Sequence, residues 1–508
     1  VTVRGSISTD QVLLVQAPRW WGLSPLNIGL RVRIGNSSII NLPNHAAPPT
    51  RPGMVTTPVF SSNSWYCGLP AIAVSGDRYS VATYDGTGIG YGQRRRQWLQ
   101  LDAATSTVTG GQADCYSDDI ASWRDQEIAA RGNVLAVVYS QAGDIRAEIS
   151  LDRGASFPLL HTLESSGGWG AQRLVQIAIA PDYTLGVLYW RCSGGTASLR
   201  LCEAAPTGFD ANNTPTGYAW TQNTVVHNPG SDVTPLLMHL EYSAGGDLVV
   251  GYGYSLFQWV GGQRINSARF RCAVRPWGGA WRDSEVDRED RVAPIDPHVA
   301  VLGSGAAMEV FYAYEKTDGV HLKYSADAGL TWQTVAHVAI PGAMQPSVHP
   351  RLVGGLKRVD MLYANPVGWG LELHNLRWDD FTPGQAGQPF ALTRVSSLPG
   401  GTPPPGCPQG MVIRTLGWLG YDAVVRGDQV AVVVHELNYD VYAWWNAWGL
   451  PAMTGWAGGT TAAAASGGSG AGSYQPAPPP PMMLPGMTGT VPAPNTSDRS
   501  LLSVIVMD

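Results

Sequence analysis

Residues 321–338 read HLKYSADAGLTWQTVAHV, two strand-like segments joined by a stretch that carries Ser325, Asp327, Gly329, Thr331 and Trp332. Each of these residues has a mechanical use in a tight turn. An Asp carboxylate accepts backbone N–H bonds within its own turn, and Gly supplies the left-handed backbone; Ser and Thr hydroxyls add weaker turn bonds, and a Trp opens the return strand as an apolar lid. The stretch therefore predicts a hairpin fastened by its own side chains. A second copy, with Ser150, Asp152, Gly154, Ser156 and Phe157, follows the strand-like GDIRAEI in the same way. A weaker echo, RPWGGAWRDSEV from Arg275, keeps the aromatic return without the Ser and Asp of the turn.

Both turns sit inside a longer repeat. An apolar strand, a polar or Gly-containing turn, a second strand rich in Val, Leu and Tyr, and a third, alternating strand recur seven times, from Leu69, Gln126, Arg173, Leu236, Pro297, His349 and Tyr421. The spacing is roughly 45 to 65 residues for the first six copies and 72 before the last, near or somewhat above the roughly 40 to 50 of a four-stranded propeller blade. One blade is too small to bury both faces, so the copies must stack, and a closed ring removes the sheet edges an open array would expose. The second strands (LAVVY, LGVLYW, VAVVV) are continuously apolar, as strands covered on both faces should be. The expected fold is all-β, a β-propeller of seven blades with six or eight as alternatives. Two β-sandwich domains would leave the sevenfold phrase unexplained.

The pattern S-x-D-x-G-x-[TS]-[WF], found at Ser150–Phe157 and Ser325–Trp332, resembles the Asp-box of the sialidase-like (BNR) β-propellers. The resemblance implies that each box forms the hairpin between the outer two strands of a blade, far from the catalytic centre of that family. It covers residues 65–450 as a repeat and only two short turns as specific motifs. Members that cleave sialic acid resemble one another in an Arg-Ile-Pro motif, three arginines that grip the substrate carboxylate, a Tyr nucleophile activated by a Glu, and an Asp acid/base. There is no Arg-Ile-Pro here; APRWWG around Arg19 keeps only the Arg. Glu241 and Tyr242 are adjacent, so on a strand they point to opposite faces and cannot form the Tyr–Glu pair.

Composition narrows the field further. Gly (61 residues) and Pro (37) are abundant in the 508-residue chain and charged residues make up 14%, which suits short strands and tight turns. The only lysines are Lys316, Lys323 and Lys357, and the formal charge is −6. A nucleic-acid partner is therefore not expected. The run RRRQW at Arg94–Trp98 reads as a charged edge strand or solvated loop. No apolar run reaches the roughly 18 to 20 residues of a membrane helix, so membrane insertion is not expected. The six cysteines show no CxxC pair; Cys192 and Cys202 flank a Gly-Gly turn and either face each other across a hairpin or are buried thiols.

Polar residues at the starts of the inner strands mark a candidate channel-mouth ligand site: Arg124, Asp125 and Glu127; His239 and Glu241; Asp296 and His298; His349 and Arg351. The spacing of His298 and His349 gives no support to a metal, and no cofactor is expected. Trp20, Trp21, Trp444 and Trp445 are candidate stacking platforms for a sugar, against the commoner use of such pairs at a blade seam.

Outside the propeller, assigned to 65–451, lie two arms. Residues 1–64 carry strand-like segments that complete a blade, pair with the last one or lie on a partner. Residues 452–508 run from a Gly/Ala/Pro-rich linker to a short apolar strand, Ser500–Met507, expected to add to a neighbouring subunit's sheet. Together these features lead to the expectation of a noncatalytic structural or adhesive propeller in a larger assembly. A virion component such as a bacteriophage tail or capsid-surface protein is the foremost case, held by partner subunits through 1–64 and 452–508, and binding a cell-surface glycan. The setting is then a virion or the extracellular space. The alternatives are a diverged sialidase-like glycoside hydrolase and a secreted glycan-binding lectin.

Overall fold

The computed structural model of the protein describes residues 31–34, 38–41, 48–62, 68–85, 94–102, 104–105, 108–117, 126–141, 144–165, 175–193, 196–221, 223–231, 233–260, 263–290, 296–340, 342–367, 370–398, 412–440 and 500–508. Among them are seven antiparallel sheets arranged as the blades of a propeller, and a separate hairpin, Arg31–Ile34 with Ser38–Asn41. Blades 1 to 6 are built in chain order from residues 68–117, 126–164, 175–231, 233–289, 298–338 and 344–391. The innermost strands of successive blades pack side by side, and that of blade 7, Val412–Arg426, returns to that of blade 1, Gly68–Ser75, so the ring is closed. All seven repeat copies read from the sequence correspond to blades.

Apolar clusters fill every seam. Ala82 meets Leu135 between blades 1 and 2, and Val134, Leu188 and Tyr252 belong to one cluster through blades 2, 3 and 4. Phe270 with Tyr312, Phe311 with Met361, Leu362 with Ile505, and Val81 with Val504 continue the sequence around the ring back to blade 1. Each blade is thus half of two cores, which is why its second strand is apolar on both faces; Val134–Gln141 in blade 2 is buried along the whole of its described length.

The closing blade corrects the domain boundaries expected from the sequence. Its sheet runs in the order Ser396–Leu398, which pairs only with the first residues of the next strand, then Val412–Arg426, Gln429–Asp440, Ser500–Met507 and Val55–Ser62. The C-terminal strand is not offered to a partner: both its edges are paired within the chain, Val504 opposite Val433 on one side and opposite Thr57 on the other. The N-terminal strand is likewise part of the ring, so residues from both sides of the expected 65–451 domain complete it. The physical reason is edge satisfaction, since without them Gln429–Asp440 would present a bare, apolar edge to water. Residues 441–499 lie outside the described residues.

A buried ionic cluster locks this closure. Arg51, 3% exposed, donates to Asp360 at 2.7 Å and to Asn375 at 2.7 Å, and reaches the backbone carbonyl of Asp508. Arg351 donates to the other Asp360 oxygen at 2.5 Å, and Asn375 Nδ2 to Asp360 at 2.9 Å. Asp360 is fully buried, and although desolvation pushes its carboxyl upward, the two guanidiniums hold it below the usual carboxylate range. One acid of blade 6 thereby ties together the N-terminal segment and the end of the chain.

The two fastened turns have the same wiring. In each, the Ser hydroxyl donates to the Asp (Ser150–Asp152 2.7 Å, Ser325–Asp327 2.6 Å) and accepts the Gly N–H (Gly154 2.7 Å, Gly329 2.8 Å). The Asp in turn accepts the N–H and hydroxyl of Ser156 or Thr331. Positive φ falls on the residue pairs Arg153–Gly154 and Ala328–Gly329. The echo in blade 4 is fastened differently: Asp247, from the preceding turn, accepts the N–H of Trp277 at 3.0 Å and also that of Gly305 in blade 5 at 2.7 Å.

Three smaller expectations also meet the structure. Arg94–Asp102 is paired on both sides within blade 1, so RRRQW is neither an edge strand nor a loop. Cys192 stands opposite Ala197 and Cys202 opposite Val187, and both thiols are free. Arg351, expected at the channel mouth, is consumed by the Asp360 cluster.

Two outcomes are expected. Arg51→Ala leaves Asp360 buried with one cation and should cost about 3–5 kcal/mol in denaturant unfolding; a loss below about 1 kcal/mol would show that closure does not depend on the cluster. Asp327→Ala should cost about 2 kcal/mol. Desolvation raises the Asp327 carboxyl, but the bonds from Ser325, Thr331 and Leu330 outweigh it and hold it at about 2. Its contribution is therefore complete above the ordinary Asp range near 4 and lost as pH falls toward 2, a dependence that the Ala variant should lack.

Candidate functional site

Antiparallel pairing gives the ring two unlike faces. Every inner strand starts on one face and ends on the other, and the fastened turns, Asp247 and the Asp360 cluster lie toward the second. The connecting segments 86–93, 118–125, 166–174, 291–295, 399–411 and 441–499 all join strand ends on the first. The candidate site is this strand-start face and the polar groups of the inner strands beneath it.

Three histidines from consecutive inner strands form a row. His239 of blade 4 stacks on His298 of blade 5 with centroids 3.8 Å apart, and His298 meets His349 of blade 6 edge-on at 5.1 Å. His298 Nδ1 accepts the Val348 N–H at 3.3 Å, so a neutral His298 carries its proton on Nε2. His349 Nε2 lies 2.9 Å from Ser347 Oγ. Burial pushes His349 down to about 4, with Asp360 opposing and Arg351 adding to the shift.

Around the rest of the channel, Gln176 of blade 3 donates to Glu127 of blade 2 at 2.9 Å across the seam. Glu241 accepts the backbone N–H of Val301, and burial pushes its carboxyl up to about 8, so it is protonated at neutral pH. Asp296 is buried at the start of the inner strand of blade 5. The structure therefore brings together His239, His298 and His349 and keeps Glu127 at the start of its strand, but Glu241, expected at the channel mouth, is next to last in Val233–Tyr242 and stands beside the 243–247 turn of the opposite face. Arg124, Asp125, Trp20, Trp21, Trp444 and Trp445 lie outside the described residues.

Tyr–Glu pairs do occur, with other Glu residues: Tyr139 donates to Glu148 and Tyr324 to Glu309 within a blade, Tyr189 of blade 3 donates to Glu164 of blade 2, and a fourth pair also joins two blades. Tyr242 donates to Glu203 at 3.1 Å, and Arg275 grips the same carboxylate at 2.5 and 2.7 Å. Desolvation, followed by the Glu203 charge, pushes the Tyr242 phenol well above its ordinary range. A nucleophilic Tyr needs the opposite shift and a free base, so this cluster is a strut between blades 3 and 4.

Several contributors escape a linear reading. Gln176 and Ser347 look like ordinary strand residues until their neighbours across the seam are known. Asp360 did leave a signal, as the one acid in the apolar run VDMLYA, where a buried charge demands a partner.

No protein-family model matches the chain, and no curated protein matches it significantly. Among solved structures it is similar to the Trypanosoma rangeli sialidase in complex with 2,3-difluorosialic acid, at 13% identity and a TM-score of 0.40, over 67% of this chain and 54% of that one. It is also similar to the polysaccharide lyase Uly1 (8% identity, TM-score 0.44, 72% of this chain and 86% of that one). A third is the GH74 xyloglucanase from Xanthomonas campestris (15%, 0.41, 68% and 50%). The chain spans about half the length of the sialidase. The similarity lies in the course of the strands.

The buried histidines set a pH dependence. His349 and His435 are both held at about 4 by burial, against an ordinary value near 6.5. Between those values the unfolded chain binds more protons than the folded one, so stability is complete above about pH 6.5 and falls as pH drops toward 4. His349→Gln should flatten that slope in denaturant titrations across the window; an unchanged slope would show that His349 does not titrate as placed.

Proposed function

We propose that the protein is a noncatalytic binding propeller, a subunit of a larger assembly that presents its strand-start face to a polar, glycan-like ligand. The observation that carries this is the asymmetry of the ring. One face carries the fastened turns and a buried ionic lock, while the two longest connections, 399–411 and 441–499, join strand ends on the other, where loops carrying recognition sit on a rigid scaffold. Also in support, the Tyr242–Glu203 pair is held by Arg275, and His239, His298 and His349 stack on one another. The extension to an adhesive subunit on the outside of a virion carries over the sequence reading of a rigid ring with few lysines and two terminal arms. With Ser500–Met507 built into blade 7, attachment to other subunits falls to the remaining terminal residues.

A second function, a diverged glycoside hydrolase, is favoured by one group. Glu241 is protonated at neutral pH, which is the state a general acid requires.

One experiment separates the two: the purified chain is applied to a glycan array and, in parallel, to a panel of chromogenic glycosides. Saturable binding without turnover is expected. Turnover abolished by Glu241→Gln would overturn the noncatalytic proposal, and so would a chain that neither binds any glycan nor associates with another subunit.

A further inference from the structure

Blade 5 carries a three-donor cluster unrelated to the channel. His321, on strand Gly319–Ser325, and His337, on strand Gln333–Val338, stand directly opposite each other, so both side chains leave the same face of the sheet. Their rings stack with centroids 4.1 Å apart and planes 13° from parallel. Asp318, in the turn before His321, closes the third side: one carboxylate oxygen is 2.8 Å from His321 Nε2 and the other 3.5 Å from His337 Nε2. A donor atom from each of the three residues lies within 4.8 Å of the other two.

The geometry points to a binding site for a transition-metal dication of the zinc class, coordinated by Asp318, His321 and His337 with the remaining positions open to solvent. Ligands of a tetrahedral zinc, at about 2.0–2.2 Å from the ion, stand roughly 3.3 Å from one another, so the donors draw together and the exposed His337 ring turns out of the stack to bring both imidazole lone pairs onto the ion. Two imidazoles and one carboxylate suit zinc, copper or nickel and not calcium or magnesium, which take oxygen ligands.

The frame is prepared before any ion arrives. Gly319 adopts φ 137°, and a Cβ there would stand 2.0 Å from the Val338 carbonyl, so only glycine lets the turn press down beside His337. Thr317 is anchored by its N–H to Glu289 of blade 4 at 3.2 Å, which fixes the turn from below. Tyr314 stacks on His321 at 5.2 Å and donates its hydroxyl to Asp287. The charges facing the site are Asp318 and Lys316, the latter 3.4 Å from Asp287, which offsets its repulsion of a cation. Desolvation pushes His321 below its ordinary range, with Asp318 opposing and His337 adding, so its imidazole is neutral and ready to coordinate at neutral pH.

The test uses the full chain, freed of metal with a chelator and titrated calorimetrically with zinc chloride. One equivalent should bind at this site at pH 7.5, weakening at least about tenfold at pH 5.5 as protons compete for the imidazoles. His337→Ala, at an exposed position, should reduce affinity at least about tenfold while leaving the metal-free melting temperature unchanged. Asp318→Asn should weaken binding as well. Cobalt(II) added in place of zinc should give a visible d–d band that His337→Ala removes. Absence of saturable binding, or a zinc affinity that His337→Ala leaves intact, overturns the assignment.

Discussion

The structure depends on the satisfaction of one strand edge. A seven-blade ring has to bring the first blade against the last, and here the last is assembled from residues that stand at opposite ends of the described chain. Ser500–Met507 is hydrogen-bonded on both sides, and Val55–Ser62 covers the outside. Opening the ring would expose those ladders together with the apolar seams around Val504 and Ile505. The Asp360 cluster adds a directional lock, since a fully buried carboxylate tolerates nothing less than its two guanidiniums and the Asn375 amide. Closure and burial therefore reinforce each other: the cluster is dry because the ring is closed, and the ring stays closed in part because the cluster has no solvated alternative.

That constraint divides the molecule into a rigid half and a presenting half. Turns on the sealed face are fastened by short side chains bonding their own backbone, which needs few residues and tolerates little change. The strand-start face is where the two longest connections, 399–411 and 441–499, join their strands, and its inner wall is lined with groups that are mostly spent on one another. Glu127 with Gln176, and the row of His239, His298 and His349, help hold neighbouring blades in register across seams whose filling is mainly apolar. Such polar seams specify one arrangement of blades, because a shifted neighbour would leave buried polar atoms without partners.

Much of the fold was legible because propeller blades repeat. Seven copies of one phrase predict seven sheets, and the phrase is local: turn chemistry and strand period are visible within about 20 residues. The Ser, Asp, Gly and Thr of residues 325–331 predict their own hydrogen bonds, and those bonds form. The candidate site was legible only in part. Polar residues at inner-strand starts were identifiable, but which of them meet depends on seam geometry, so Arg351 went to the Asp360 cluster while His349, two residues before it, joined the histidine row.

The stretch HLKYSADAGLTWQTVAHV contains both kinds of information. By itself it determined a fastened hairpin, because the atoms that fasten it are separated by at most six residues of chain. It did not reveal that its first residue, His321, and its penultimate one, His337, stack on each other beside Asp318, since that requires the register of the paired strands across a bulge. Likewise, composition marked Ser500–Met507 as a strand seeking an edge, but only the tertiary structure decided whose edge. The edge was the chain's own, because closing the ring brings that edge and the strand into one blade, where pairing within the chain costs no loss of translational freedom.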